Sequence, residues 1–282
     1  MRLSTRHKVF IAAQLARGLL AVRRLAGKGA DVQVVRRGVK WRLDLREGID
    51  LALYLGVYEN ETAQTIAREI REGWIVLDIG ANIGAHTLPI ADRIGPNGRV
   101  LAFEPTSYAF EKLRTNISLN AALPERIDCH QTVLVDKPPT GPLQPIYSSW
   151  PLTDTVDVHP VLRGRLMSTE GAAAATLDHV VQVTQLPRLD FIKLDVDGNE
   201  PMVLEGARET LARFRPIIIM EFCPHLHHRH GTDGFPALLG LLRDLGYRAE
   251  TKREGRSVPL IPESVEAMCP GGGSVDLLLR PL

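Results

Sequence analysis

The sequence predicts an α/β protein, a mostly parallel sheet covered by helices on both faces. Three observations carry that expectation. From residue 74 onward, short apolar runs alternate with helix-like runs, the order that parallel strands and their crossover helices impose. The first of these strands ends in "VLDIGANIGAHT" (76–87), where glycines punctuate a strand-to-helix turn. The chain has 282 residues, 44% of them hydrophobic, enough to bury a full core in one large unit or slightly more.

Each element follows in order. Residues 1–30 carry seven Arg and Lys, no acid, and apolar residues (Phe10, Ile11, Leu15, Leu19, Leu20) at helical spacing. Three readings of this basic helix stand side by side. Arg17 interrupts the apolar centre that a cleaved signal needs; peripheral contact of residues 1–28 with an anionic membrane suits the two-faced pattern; so does packing on the body with a solvated basic side. Residues 31–51 alternate around Arg37-Gly38 as a hairpin, and 59–71 reads as a helix, so that 31–73 forms an extension ahead of the main domain. That domain, 74–282, opens with strands at 74–79, 99–104 and 127–134 and helices at 84–94 and 107–120. The segment 137–175, rich in Pro, Ser, Thr and Gly, is too long for an ordinary connection. Tyr147, Trp150 and Leu152 give it apolar anchors, which favours a substrate-covering loop. Beyond it come a helix (176–186), a strand (189–196), a helix (201–214), a strand (216–222), a helix (235–246) and two closing strands at 247–253 and 275–280.

Composition excludes some classes of function. A formal net charge of +1 disfavours nucleic acid as a partner. The three cysteines, Cys129, Cys223 and Cys269, lack the spacing of a zinc site or a disulfide framework, and a reducing, cytoplasmic setting is expected. No apolar run approaches the roughly 20 residues that cross a bilayer.

The candidate binding residues lie at strand ends. Gly80 and Gly84 let backbone turn sharply beside a ligand, but the last glycine of a dinucleotide fingerprint is missing. Asp78 suits a ligand with positive charge, such as the ammonium or sulfonium of S-adenosylmethionine. Glu104, at the tip of the next strand, is placed to accept hydrogen bonds from a ribose diol.

Together "VLDIGANIGAHT", "GRVLAFEP", "LRTNISLN", "LDFIKLDVDGNEPMVLEGA" and "PIIIMEF" resemble the FkbM family of S-adenosylmethionine-dependent methyltransferases, and "VKWRLDLREGIDLALYLGVYENET" resembles its lead-in segment. The likeness spans roughly residues 35–282. It implies a class I methyltransferase, Rossmann-like fold with a seven-stranded sheet whose last strand is antiparallel, and methyl transfer to hydroxyl groups of saccharides or natural products. Carried over by position, it implies that Asp78, Gly80, Asn82, Gly84 and Glu104 line the cofactor site, with Thr132 and Val133 by the adenine. Methylation of an amide or amine nitrogen, or a non-catalytic nucleoside-binding or NAD-binding module, are the alternatives.

The reacting groups are sought beyond the carboxyl ends of the strands. "KLDVDGNE" offers Asp195, Asp197 and Glu200, and "IIIMEF" offers Glu221. Their roles could be general base, hydrogen-bonding to the methionine ammonium or substrate, or ligation of a hard cation such as Mg²⁺. Asp195 is the first candidate and Glu221 the second; Asp197 and Glu200 could instead cap the helix that follows. In "CPHLHHRH", His225, His227, His228 and His230 suit a metal or a polar loop, and His225 or His228 could serve as base or sugar contact. The acceptor itself, the oligomeric state and any metal requirement are not written in these motifs.

Overall fold

The computed structural model describes residues 5–152, 164–227 and 234–282. Helix α1 (Thr5–Leu25) leads to the hairpin β1 (Asp31–Arg36) and β2 (Val39–Asp44), then α2 (Gly48–Leu55) and α3 (Asn60–Glu69). The first half of the sheet is β3 (Ile75–Ile79), α4 (Thr87–Arg93), β4 (Arg99–Phe103), α5 (Ser107–Ser118) and β5 (Ile127–His130). An insertion holds β6 (Thr132–Leu134), β7 (Ile146–Ser148), β8 (Arg165–Met167) and β9 (Ala173–Ala175). The second half runs α6 (Leu177–Thr184), β10 (Phe191–Leu194), α7 (Glu200–Glu205), α8 (Arg208–Phe214), β11 (Ile217–Phe222), α9 (Pro224–His227) and α10 (Gly234–Asp244). It closes with β12 (Tyr247–Thr251), β13 (Ser257–Val258), α11 (Pro262–Glu266) and β14 (Val275–Pro281).

The main sheet has the order β13-β12-β14-β11-β10-β3-β4-β5. Neighbours from β11 to β5 are parallel, and β14 runs antiparallel to both β11 and β12. Seven strands follow the expected arrangement. The eighth, the two-residue β13, extends the edge beyond it by pairing with β12. Strands β3 and β10 are buried along their whole length, as central parallel strands with helices on both faces must be, which explains their unbroken apolar runs.

Alternation along these strands divides the core in two. Leu77, Ile79, Leu101, Phe103, Ile192 and Leu194 face one side, against residues of α6, α7, α8 and α10. Val76, Val100, Ala102 and Phe191 face the other, where they share a core with Trp41, Leu43 and Leu45 from the extension. The hairpin is therefore part of the sheet's own packing. Trp41 is almost wholly buried and donates its indole N–H to Arg36 O at 3.1 Å; truncating so large a buried ring costs about 3–5 kcal/mol.

Several expected elements are divided or displaced. Residues 48–51, read as the end of the hairpin, open α2, where the buried Asp50 accepts the Asp44 N–H at 2.8 Å and pairs with Lys112. The strand expected over 127–134 breaks at Gln131, and β6 leaves the main sheet to pair in parallel with β9. The helix expected over 201–214 is split by Gly206, because a Cβ there would lie 2.1 Å from Val135 O. Among the described residues no helix is long and apolar enough to cross a membrane.

Candidate active site

The cleft lies beyond the carboxyl ends of β3, β4, β10 and β11 and encloses about 450 Å³. One wall grows from the β3 turn. Gly80 has φ +81°, and a Cβ on it would lie 1.9 Å from Asp195 O, so only glycine lets this turn pass beneath the next strand. The Gly80 and Ala81 N–H groups both donate to Phe103 O, at 3.0 and 2.9 Å. Asn82 follows in the left-handed region, at φ +48°, and its N–H donates to Glu104 Oε2 at 2.9 Å.

Glu104 is buried and holds three protein donors. Its Oε1 accepts the Thr106 N–H at 2.9 Å and the Thr106 hydroxyl at 2.5 Å. A carboxylate offers about four acceptor positions, so one remains, on Oε2, for a ligand hydroxyl. Burial pushes the Glu104 carboxyl upward, and the Thr106 and Asn82 hydrogen bonds pull it back. Thr132 and Val133 complete this wall beside Phe103 and Glu104.

The opposite wall is acidic. Asp195, one residue past β10, and Glu221, near the end of the neighbouring β11, stand on adjoining strand tips. With Asp197 they present oxygens within 4.8 Å of one another, the group among the described residues that could hold a cation. Lys193, buried in β10, already supplies positive charge: its Nζ lies 3.4 Å from Asp195 Oδ2, 3.8 Å from Asp78 Oδ1, and donates to Gly80 O at 3.1 Å. One lysine does not neutralise three crowded acids. Burial, then Asp195 and Glu200, lift Asp197 to about 8. Burial, then Asp195 and Asp197, also lift Glu221, whose Oε1 accepts the Ser274 hydroxyl at 2.5 Å. Asp195 is raised by burial against the pull of Lys193. Three acids this close titrate as a unit.

Gly80, Asn82, Glu104, Thr132, Val133, Asp195 and Glu221 thus share one cleft. Asp78, Gly84 and His225 do not line it. Asp78, expected to face the ligand, lies beneath the turn, where it accepts the Thr87 hydroxyl at 2.5 Å and neighbours Lys193. Gly84 faces the side chains of Leu88 and Leu113 in the core. The ring of His225 contacts Cys223 Sγ at 3.4 Å, and the Cys223 thiol is pushed far up by burial. Glu200 does not cap α7; its Oε1 accepts the Val196 N–H at 2.9 Å and its Oε2 pairs with the buried His227 at 2.8 Å, which fixes the acidic turn. His228 and His230 lie outside the described residues.

Among the cleft residues that sequence reasoning passed over are Tyr58, Glu59, His86 and Lys193. Glu59 pairs with His86 Nε2 at 2.8 Å. Burial would raise its carboxyl, but the His86 hydrogen bond and charge and the nearby Lys193 outweigh this and hold it at about 2. A signal for Lys193 was present, since a lysine inside the apolar run "LDFIKLDV" needs buried partners. Backbone strain is a further marker: Glu59 (φ +36°), Asn82 and Asp197 (φ +51°) are non-glycine residues in the left-handed region, and all three line the cleft.

The insertion roofs the cleft through Leu143, Gln144, Ile146, Tyr147, Ser148 and Trp150. It is tied to the extension. Gly48 N–H donates to Trp150 O at 2.8 Å, Leu152 N–H to Arg46 O at 2.8 Å, and the Ser149 hydroxyl to Glu47 Oε2 at 2.6 Å.

Comparison with known proteins accords with this geometry. A family model described as the methyltransferase FkbM domain matches residues 78–249. The AMB antimetabolite synthetase AmbE of Pseudomonas aeruginosa is 28% identical over 215 aligned positions, 64% of this chain and 10% of that protein. The hexuronic acid methyltransferase AglP of Haloferax volcanii is 25% identical over 166, covering 57% of this chain and 61% of that one. The chain thus spans less than two thirds of either relative's length. A solved FkbM methyltransferase from Methylobacillus flagellatus is 17% identical, with 73% of this chain and 43% of that chain covered and a TM-score of 0.43. With the family model covering more than half of its length, the chain belongs to the FkbM methyltransferase domain family.

Proposed function

We propose that the enzyme methylates a hydroxyl group on a saccharide or natural-product acceptor. The supporting observation is that a buried, hydrogen-bonded carboxylate on one wall faces a set of crowded, proton-sharing carboxylates on the other, within one roofed cleft. The first suits a ribose and the second a hydroxyl that must lose its proton.

Bound in this cleft, S-adenosylmethionine supplies an electrophilic methyl group on a sulfonium. The residues present fit it: Glu104 keeps one acceptor position for the ribose, and Thr132 and Val133 offer a wall for the adenine. Asp195 receives the acceptor proton, with Glu221 beside it. Raised proton affinity makes these carboxylates stronger bases than ordinary ones, and such help is worth about 10²–10⁴-fold in rate. Positioning would supply the rest, with the roof residues Tyr147, Ser148 and Trp150 holding the acceptor against the acidic wall. AglP, named as acting on hexuronic acid, supports a sugar acceptor at the level of resemblance only. The carboxylate cluster also favours a second reading, an ammonium-bearing acceptor methylated at nitrogen. Incubating a panel of glycans and amines with deuteromethyl cofactor tests both. Mass spectrometry should find the label on glycan oxygen; label on amines alone would favour the second reading. Calorimetry should show binding of S-adenosylhomocysteine, and binding of NAD alone would overturn both.

A further inference from the structure

The structure distinguishes three faces of α1. Ala12, Ala13, Leu19 and Leu20 are partly buried and Ala16 wholly so, all within the core shared with the sheet; this face seats the helix on the body. Ile11, Leu15, Val22 and Leu25 form a second row, at spacings of four, seven and three that return to one side of a helix. These four are 45%, 54%, 66% and 91% exposed. Arg17 and Arg24, seven residues apart and exposed, form a third row. At about 100° per residue, the three rows stand roughly a third of a turn apart.

Packing against the body therefore accounts for only one apolar face. The second is unpartnered, and seven of the twelve large apolar residues exposed among the described residues lie before residue 58, four of them in α1, so the bias belongs to the part of the chain ahead of the sheet. What could cover it is indicated by charge. The first thirty residues carry seven Arg and Lys and not one acid, in a chain whose total is nearly balanced. A protein partner of ordinary surface charge would gain little from that imbalance; an anionic lipid surface gains from both rows at once, because the apolar row enters the acyl boundary while long arginines reach sideways to the phosphates.

We infer that the exposed apolar row of α1, with Arg17 and Arg24 beside it, docks the enzyme reversibly on an anionic membrane surface.

The full chain should sediment with vesicles of equimolar phosphatidylcholine and phosphatidylglycerol, not with phosphatidylcholine alone, and added salt should release it. Arg17→Glu with Arg24→Glu should weaken partitioning by at least about fivefold per charge. Leu15→Ser with Val22→Ser should weaken it similarly while the far-ultraviolet circular dichroism and melting temperature stay at the parent values, which separates lost docking from lost folding. Absence of vesicle binding by the parent would overturn the inference. So would a parent dimer, seen by analytical ultracentrifugation, that Leu15→Ser and Val22→Ser convert to monomer, since a second copy would then cover the face.

Discussion

The two walls of the cleft solve opposite problems with the same functional group. Glu104 is surrounded by donors and held by three hydrogen bonds from two neighbouring residues of the fold. Asp195, Asp197 and Glu221 are crowded against one another, with Lys193 beside Asp195 and the Ser274 hydroxyl on Glu221. A carboxylate held by several donors is fixed in orientation, which suits recognition. Carboxylates that repel each other bind protons more tightly, which suits chemistry.

The contrast is broken most forcefully at Asp195. Asp195→Ala should lower kcat by about 10²–10⁴-fold while leaving the calorimetric affinity for S-adenosylhomocysteine near the parent value. An equal loss in both would make the two walls one functional unit. Glu104→Gln should do the reverse, weakening that affinity by roughly tenfold to a hundredfold, as expected for a hydrogen bond to a charged group, with a smaller change in saturated turnover. Asp197 sharpens the comparison through pH. With the Asp197 carboxyl pushed up to about 8 beside Asp195, turnover should rise as pH passes through about 8. Stability should move the opposite way: the folded state holds the Asp197 proton more tightly than the unfolded chain does, so its contribution falls as pH rises from the usual carboxylate range toward 8. Asp197→Asn should flatten both profiles, read by initial rates and by melting temperature across pH. The smallest effect is expected from chelation. If Lys193 is the working counter-charge, EDTA should change the rate less than about twofold, within the reach of weak screening effects. A large loss restored by Mg²⁺ would give that role to a cation held by the three carboxylates.

The two walls also differ in how far the sequence discloses them. The Glu104 side is local: a strand, a glycine turn, a helix and the tip of the next strand, all within thirty residues, so spacing alone brings Gly80, Asn82 and Glu104 together. The acidic side needs two strands to be neighbours, and the β/α alternation allowed that adjacency to be expected for Asp195 and Glu221. What escaped was whatever depended on depth. Asp78 lies at the strand end exactly as its motif demands but below the surface, because Lys193 and Thr87 claim it. Glu59 and His86 enter from the extension and the far side of the turn, a meeting that no spacing in the chain encodes. The division of the 201–214 helix has the same origin, since it follows from Val135 approaching Gly206 across 71 positions of chain.

The ties between Glu47, Gly48 and Trp150 bear on how this protein is handled at the bench. A truncation beginning at the first sheet strand would preserve every parallel pairing and still strip the ceiling of its scaffold, along with the Trp41 side of the core. Such a shortened version would make a poor stand-in for acceptor screening, because the roof of the cleft is suspended from the part removed.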